Sequence, residues 1–313
     1  MDFFRAFVIK SFPSHRRPDE ISLTRPLEPW NPGTLEPWNP FLMVLESVMD
    51  QKQLQITQSD NILTLTFHRP QKRNALTSDM LIGLYNVLHT HQADDACRVV
   101  IITGSGERAF SSGYDINAIP TTVSPELEEL LQNKSPFELA VDSIVNFPYP
   151  VIAMLNGFAF GGACDLAVAC DIRIAANDIQ MGMVPAKLGM VYFPDGLQRF
   201  VRTIGLSHTK EMFFTARRYK ATRLKEMGLV DYLVPRENLK QFTYDFAGEI
   251  AANAPLSLKG IKRILNMISD TCRLGESNMQ EASTLVETAF ISEDLKEGRA
   301  AFLEKRNARF KGR

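Results

Sequence analysis

The sequence predicts an α/β protein whose core is a layer of mostly parallel strands. Three short apolar runs have the length and composition of buried strands, namely RVVIIT at Arg98–Thr103, PVIAML at Pro150–Leu155 and DIRIAA from Asp171. Helical patterns separate these runs, and a strand, a helix and a further strand in that order imply a parallel crossover. A chain of 313 residues suits about two domains, or one large domain with an appendage.

The N-terminal segment differs in composition from the rest of the chain. Its first 42 residues hold 7 of the 17 prolines, and each proline removes a backbone donor and disfavours helix in the residue before it. The motif LEPWNP occurs twice, at Leu27–Pro32 and Leu35–Pro40. We predict a disordered or loosely ordered tail over residues 1–48, a core over 49–250 and a helical region over 251–313. Met43 and Met49 are alternative start positions that would remove most of this tail.

Order is predicted to begin at Leu54. The run LQITQSDNILTLTF reads as two strands joined at Asp60–Asn61, because the flanking residues are strand-prone and the turn pair is polar. Thr77 can cap a helix that runs to about His91, where apolar residues recur at helical spacing. Residues 125–146 and the chain from Pro194 onward are predicted to be mostly helical.

Composition excludes several classes of protein. There are 35 basic and 36 acidic residues, a net charge of -1, which argues against a dedicated nucleic-acid binder. Four cysteines without a CxxC pair argue against a disulfide scaffold and a structural zinc site. No apolar run reaches the length of a membrane span, about 18 residues. Arg5 and Lys10 interrupt the apolar stretch at the N-terminus, so this stretch fits a secretory signal peptide poorly. We therefore expect a cytoplasmic protein with reduced thiols, no membrane association and no metal.

The segment GSGERA at Gly104–Ala109 fits the G-x-G-x-x-A fingerprint of dinucleotide binding. That fingerprint requires a helix directly after the turn and a second strand about 20 residues on. Phe110–Gly113 is not helical in pattern, and Pro120 and Pro125 fall where the second strand is needed. We therefore interpret the segment as a tight turn.

Two other glycine-bearing loops follow buried strands, FSSGYDI at Phe110–Ile116 and NGFAFGGACDL at Asn156–Leu166. We predict that a small-residue helix begins near Gly162. The first amides of a helix have no intrahelical partner, and the helix dipole favours negative charge there. Two such amides aimed at one point form an oxyanion hole. Alternatively, the glycines only permit tight turns and close packing.

Together with three further motifs, these loops resemble the crotonase superfamily, also called the enoyl-CoA hydratase/isomerase family. The further motifs are HRPQKRNAL at His68–Leu76, LGMVYFPDGLQR at Leu188–Arg199 and GLVDYLVP at Gly228–Pro235. The resemblance covers roughly residues 54–313. It implies a crotonase-like ββα superhelix core with a C-terminal helical trimerisation region, a homotrimer or homohexamer, and an acyl-CoA thioester substrate. It implies no separate cofactor, since coenzyme A enters as part of the substrate.

The resemblance also assigns roles to particular residues. It places the thioester oxygen between the backbone amides of Tyr114 and Gly162. The residues that it places around coenzyme A and the thioester are Lys72, Arg73, Asn74, Ala75, Gly113, Asp115, Ile116, Gly161 and Pro185. The basic C-terminal stretch, with Lys311, would either reach CoA phosphates across a subunit boundary or be a solvated tail.

The acid and base groups depart from the pattern of the family's hydratases. Those enzymes carry two glutamates, and the resemblance places one at Asp165 and the other at Pro185, which has no ionisable group. Hydration needs one group to activate water and another to supply the α-proton, so a standard hydratase is not expected. Asp165 can instead be a first-turn carboxylate that complements the helix dipole.

The resemblance is greater to the methylmalonyl-CoA decarboxylase branch of the family. That branch also has proline at the second glutamate position and a tyrosine where this chain has Tyr192, but it has histidine in place of Tyr114 and glutamate in place of Asp165. Loss of CO2 leaves a thioester enolate directly, and one weak acid can protonate its carbon. Tyr192 can also be a packed aromatic residue with a satisfied hydroxyl.

Three hypotheses about function follow. The first is an acyl-CoA decarboxylase that acts through an enolate held in the oxyanion hole, with Tyr114, Gly162, Asp165 and Tyr192 as its catalytic residues. The second is an enoyl-CoA isomerase or hydratase that uses Asp165. The third is a non-catalytic scaffold of the same fold that binds RNA or a protein, which the neutral net charge disfavours for RNA.

Overall fold

The computed structural model describes residues 53–93, 95–115, 134–270 and 275–312. The predicted tail over residues 1–48 lies outside these ranges, as do Ile116 and Cys272. The described chain forms two sheets, with helices packed around them.

The described chain begins with the antiparallel hairpin that the sequence predicts, formed by β1 (Leu54–Ser59) and β2 (Ile62–Phe67). Asp60 and Asn61 form its turn, with φ of 51° and 64°, in the left-handed region that short polar residues tolerate. Two-residue turns with such angles match the twist of the flanking strands. The prediction of two strands joined at this pair is confirmed.

The larger sheet has the strand order β1–β2–β3–β5–β7–β10. The new strands are β3 (Val99–Gly104), β5 (Val151–Leu155), β7 (Ile172–Ala176) and β10 (Tyr232–Val234). Every pairing after the hairpin is parallel. All residues of β3 and β5 are buried, as expected for strands covered on both faces. The predicted parallel α/β layer is confirmed.

A smaller sheet has the order β4–β6–β8–β9. Its strands are β4 (Ala109–Ser111), β6 (Phe158–Phe160), β8 (Gln180–Gly182) and β9 (Tyr219–Lys220). In chain order, β3 is followed by β4, β5 by β6 and β7 by β8, so each pair adds one strand to each sheet. This alternation builds the ββα superhelix. Residues 105–108, the middle of the GSGERA segment, join β3 to β4 and are not helical, as predicted.

The first two helices begin at side-chain caps. α1 (Ser78–His91) starts after Thr77, whose hydroxyl accepts a hydrogen bond from the Met80 amide at 3.1 Å. α2 (Pro136–Asn146) starts after Ser135, which forms a capping box with a glutamate three residues on. The predicted helix from Thr77 is therefore confirmed.

From the end of β6 onward the chain is mostly helical. The helices are α3 (Gly162–Ala169), α4 (Pro194–Thr215), α5 (Ala221–Glu226), α6 (Leu239–Ala251), α7 (Pro255–Asp270), α8 (Glu276–Ile291) and α9 (Glu293–Glu304). α9 packs against the short 3-10 helix Pro185–Leu188. A β-carbon on Gly298 would lie 2.5 Å from the Leu188 backbone, so glycine permits this close approach. None of the described helices is both long and apolar enough to cross a bilayer.

Candidate active site

A cavity of about 1000 Å³ lies where the glycine loops meet the C-terminal helices. Its wall comes from the segment around the 3-10 helix Pro70–Lys72, the loops that follow β4 and β6, Pro185–Leu188, and α8 and α9. Apolar side chains supply much of the lining, including Phe137, Val184, Met190, Phe193, Phe290 and Leu295. A mostly apolar concave site with a few polar groups is typical of a small-molecule site.

The two glycine loops meet at one side of this cavity. The first loop is held by hydrogen bonds from the Leu76 amide to the Gly113 carbonyl, 2.9 Å, and from the Asp115 amide to the Leu76 carbonyl, 2.7 Å. A β-carbon on Gly113, whose φ is 104°, would lie 2.7 Å from the Phe160 carbonyl oxygen and 3.7 Å from the Gly162 nitrogen. The structure therefore brings the Tyr114 loop and the start of α3 together.

The second loop turns sharply at Gly161. This residue has φ 55° and ψ -125°, a combination that residues with a β-carbon strongly disfavour. Gly162 follows as the first residue of α3, so its amide has no intrahelical acceptor. Both glycines line the cavity.

Asp165 lies behind the cavity wall rather than on it. Its side chain is 1% exposed and is not among the lining residues. The Arg199 guanidinium donates from Nε to Oδ1 at 3.0 Å and from Nη2 to Oδ2 at 2.9 Å. Although desolvation lowers the pKa of Arg199, the Asp165 carboxylate raises it on balance, so the partly buried guanidinium stays charged. The predicted catalytic carboxylate is half of a buried ion pair.

Tyr192 stands between Asp165 and the cavity. Its hydroxyl donates to Asp165 Oδ2 at 2.7 Å, and Tyr192 is one of the residues that line the cavity. Burial and the neighbouring carboxylate raise the pKa of Tyr192 well above 10. A β-carbon on Gly196 would lie 2.4 Å from Tyr192 Cε1, so glycine in the first turn of α4 provides the space for the ring.

The carboxylates that line the described cavity, Asp115 and Asp178, are also paired with arginines. Asp115 Oδ2 accepts from Arg69 Nη1 at 3.1 Å. Asp178 accepts from Arg236 through both oxygens, at 2.6 and 3.0 Å, and this hydrogen bonding lowers the pKa of Asp178. Asp115 and Asp178 in the wall and Asp165 behind it are thus each paired with an arginine.

Tyr114 contributes a second hydroxyl. It lines the cavity, and its oxygen lies 2.9 Å from the Ser78 hydroxyl at the start of α1. Burial raises the pKa of Tyr114, so both tyrosines of the wall are neutral near pH 7.

Most of the predicted binding residues lie around this cavity. The lining includes Lys72, Arg73, Ala75, Gly113, Asp115, Gly161 and Pro185, whereas Ile116 lies outside the described residues. Asn74 is not part of the lining. Its buried side chain accepts from the Arg69 amide at 3.0 Å and donates to the Ala109 carbonyl at 2.8 Å, so it braces the loop from behind.

Lys311 does not lie at this cavity. It lines a separate depression along α9, where its amide donates to Asp294 Oδ1 at 2.6 Å. Within one chain, the structure therefore does not bring Lys311 together with the other predicted residues.

Two residues that shape the site, Arg199 and Gly196, were not predicted from the sequence. Both lie in the quoted motif LGMVYFPDGLQR, but Arg199 is 34 positions from its partner Asp165. The signal that the sequence offered for Arg199 was a basic residue beside apolar residues in a segment predicted to be helical. No group of three or more potential metal ligands occurs within residues 53–93, 95–115, 134–270 and 275–312.

Comparison with known proteins identifies the family to which this chain belongs. Residues 57–313 match the family model described as enoyl-CoA hydratase/isomerase. The chain belongs to the enoyl-CoA hydratase/isomerase family. It is therefore an acyl-CoA enzyme of the crotonase superfamily, and the predicted resemblance is confirmed.

Relatives within this family differ in their reactions. The chain is 32% identical over 260 residues to short-chain-enoyl-CoA hydratase of Clostridium acetobutylicum, covering 82% of this chain and 97% of that protein. It is 28% identical over 264 residues to methylmalonyl-CoA decarboxylase of Escherichia coli, covering 84% and 100%. A structure of methylmalonyl-CoA decarboxylase in complex with 2-nitronate-propionyl-CoA matches with a TM-score of 0.75 at 29% identity, covering 83% and 99%. The crotonase-like fold is confirmed.

Proposed function

We propose that this enzyme decarboxylates a methylmalonyl-CoA-like thioester through an enolate. The observation that carries the proposal is the pairing of the carboxylates around the described cavity. Asp115, Asp178 and Asp165 each accept hydrogen bonds from an arginine. A carboxylate engaged by a guanidinium is a weak base, because protonating it breaks a charge-assisted hydrogen bond.

Decarboxylation needs no base to generate the enolate. The bond between the α-carbon and the carboxylate carbon breaks, CO2 leaves, and the electron pair moves toward the thioester oxygen. The amides of Gly162 and Tyr114 would donate to that oxygen as its negative charge grows. Tyr192 is the proposed weak acid that supplies a proton to the α-carbon, and solvent restores its proton.

The position that the resemblance assigns to a second glutamate supports the same reaction. Pro185 occupies it, lines the cavity and is buried. The neighbouring lining residues Val184, Met190 and Phe193 are apolar. A carboxylate of the substrate would be poorly solvated beside them, which favours its loss as neutral CO2.

Coenzyme A is proposed to bind along the cationic part of the wall. Lys72, Arg73, Arg108 and Arg218 line the cavity, and guanidinium and ammonium groups suit phosphate. The backbone from Lys72 to Ala75 would contact the rest of the coenzyme A molecule. The buried side chain of Asn74 would hold this backbone in place. Lys311 would contribute only from a neighbouring subunit, and no further cofactor or metal is proposed.

The proposed assembly is a homotrimer or homohexamer. α7 exposes a row of large apolar side chains, namely Leu256, Ile261, Ile264, Leu265 and Ile268. A contiguous apolar face of this kind is typical of a protein–protein interface. Light scattering after gel filtration would measure the subunit number.

A second candidate is an enoyl-CoA hydratase or isomerase that uses Asp165. The 32% identity to a short-chain-enoyl-CoA hydratase favours it. In that case Asp165 would have to release Arg199 during turnover, and its replacement by asparagine would abolish activity.

The test is to incubate the purified enzyme with methylmalonyl-CoA and, separately, with crotonyl-CoA, and to follow both by mass spectrometry. Loss of CO2 from the first without addition of water to the second supports decarboxylation. Hydration of crotonyl-CoA, abolished in Asp165→Asn, supports the second candidate. If neither thioester changes, the non-catalytic scaffold becomes the better hypothesis.

A further inference from the structure

Arg199 occupies the second turn of α4 with its side chain 19% exposed. It does not line the cavity, so it cannot touch a substrate there. Its guanidinium donates hydrogen bonds from Nε and Nη2 to the carboxylate of Asp165. Arg199 is thus a partly buried arginine whose hydrogen bonds reach the Asp165 side chain, so its effect on the site is exerted through that carboxylate.

The geometry of the pair fixes the plane of the carboxylate. Two hydrogen bonds, 3.0 Å to Oδ1 and 2.9 Å to Oδ2, form a bidentate contact, which adds orientation as well as energy. Oδ2 also accepts the Tyr192 hydroxyl at 2.7 Å. Where Arg199 places Oδ2 therefore determines where the Tyr192 proton points.

Charge leads to the same conclusion. Asp165 is 1% exposed, and burying a charged group is costly unless it is paired and hydrogen-bonded. Arg199 supplies the opposite charge together with two hydrogen bonds, to Oδ1 and Oδ2. The carboxylate that accepts from Tyr192 is therefore held in place by this one cation.

We propose that Arg199 is a positioning residue, which acts through Asp165 to fix the orientation of the Tyr192 hydroxyl next to the cavity wall. This inference rests on the proposed function in one respect, since Tyr192 is there the group that meets the reacting carbon. Gly196 belongs to the same arrangement, because its lack of a side chain lets the Tyr192 ring lie against α4.

A kinetic test uses four variants: Arg199→Gln, Asp165→Asn, the double variant that contains both, and Arg199→Lys. Arg199→Gln is expected to lower kcat for the decarboxylated thioester about 100-fold with KM nearly unchanged, the size of effect that a misplaced group causes. Residues that act as a unit are not additive. The double variant should therefore be no slower than the slower single variant, and Arg199→Lys should recover part of the loss because a cation remains.

A second measurement does not depend on turnover. Labelling the seven tyrosines with carbon-13 at Cζ makes each hydroxyl environment visible by NMR, and Tyr192→Phe assigns the signal of Tyr192. Arg199→Gln and Asp165→Asn should both displace this signal, and Arg199→Lys should move it less. If the wild type acts on neither thioester, the proposed function fails while this signal still decides the role of Arg199.

Two results would overturn the inference. One is an Arg199→Gln protein that melts earlier yet keeps both kcat and the Tyr192 signal, which would make the ion pair purely structural. The other is a double variant whose losses multiply, which would make the two residues independent. If Arg199→Gln alone does not fold, two other proteins provide the same comparisons. One is the double variant, in which two uncharged amide side chains replace the ion pair, and the other is Arg199→Lys.

Discussion

Arg199 donates two hydrogen bonds to Asp165, at 3.0 Å to Oδ1 and 2.9 Å to Oδ2, across 34 positions of sequence. The two partners are unequally buried, since the side chain of Asp165 is 1% exposed and that of Arg199 is 19% exposed. Breaking a buried ion pair is costly chiefly because one charge is left without compensation. The cost therefore depends on which partner is removed.

We predict that Arg199→Gln destabilises the fold by about 3–5 kcal/mol, since it leaves the more buried charge alone. Asp165→Asn should cost less, because the remaining guanidinium can turn toward water. The double variant should be more stable than Arg199→Gln. Urea unfolding of the three proteins measures these differences, and equal losses in both single variants would contradict the asymmetry.

A second prediction concerns the space under Tyr192. A β-carbon on Gly196 would lie 2.4 Å from Cε1 and 2.9 Å from Cδ1 of that ring. Gly196→Ala should therefore displace the ring and lower kcat by about 100-fold while the fold persists. Steady-state kinetics with the thioester that proves to be the substrate gives the measurement.

Gly260→Ala is the matched control for Gly196→Ala. Gly260 lies in α7, with nothing within 4 Å of an added β-carbon. The same substitution there should leave kcat unchanged and stabilise the helix by about 0.5–1 kcal/mol. An equal loss of activity in both variants would mean that the effect is not exerted through Tyr192.

Local signals account for the parts of the fold that the sequence predicts. The polar pair Asp60–Asn61, the cap Thr77 and the start of α3 at Gly162 each depend on residues within a few positions of one another. β6 was not predicted, because its three residues are too few to show a strand period. The sequence also suggested Asn74 as a contact of coenzyme A, but the fold buries its side chain as a loop brace.

The role of Asp165 depends on contacts that no local pattern reveals. In the sequence, Asp165 stands in the first turn of a predicted helix, after two glycines. A catalytic base and a carboxylate that only complements the helix dipole would give the same sequence pattern there. Only folding brings α4 against α3 and adds Arg199 and Tyr192 to it. The carboxylate then has three hydrogen bonds, which is a physical reason to doubt it as a free base.

A third prediction concerns the C-terminal tail, residues 306–312, which is attached to α9. Arg306 donates to both oxygens of Glu297, at 2.6 and 2.9 Å, and the Arg309 amide adds a third bond at 2.8 Å. The Arg306 hydrogen bonds lower the pKa of Glu297 from 4.5 to about 2. A depressed pKa of a carboxyl group means that its contribution is complete above the unfolded value and is lost on acidification.

The part of the tail around Arg306 and Arg309 should therefore stay attached at neutral pH and be released as pH falls from 4.5 towards about 2. Hydrogen exchange of the Arg309 amide would show this release. Glu297→Gln should speed that exchange already at pH 7, whereas the Lys311 amide keeps its bond to Asp294. Glu304→Gln is the control, because Glu304 accepts a single hydrogen bond from the Arg306 side chain, donated by Nε. Unchanged exchange of the Arg309 amide in Glu297→Gln would refute the attachment.

The last prediction concerns the oxyanion hole, where the backbone of the two adjacent glycines decides which variants are informative. Gly161 has φ 55° and ψ -125°, so Gly161→Ala strains the backbone and is no mild comparison for its neighbour. At Gly162 an added β-carbon would instead meet Phe137 Cε2 at 3.2 Å, a side chain that can shift. Phe137→Leu alone, and combined with Gly162→Ala, separates loss of space from a disturbed amide.

Gly162→Val should lower turnover by about 100- to 1000-fold, the usual cost of losing one oxyanion donor. The loss should fall on kcat more than on CoA affinity, because the negative charge on the thioester oxygen grows only toward the transition state. Gly162→Ala should lose less, and Phe137→Leu should restore part of that loss if crowding is its cause. Turnover and CoA affinity of a folded Gly162→Val protein are the deciding measurements. If that protein turned over its substrate at the wild-type rate, the Gly162 amide would have no part in stabilising an enolate.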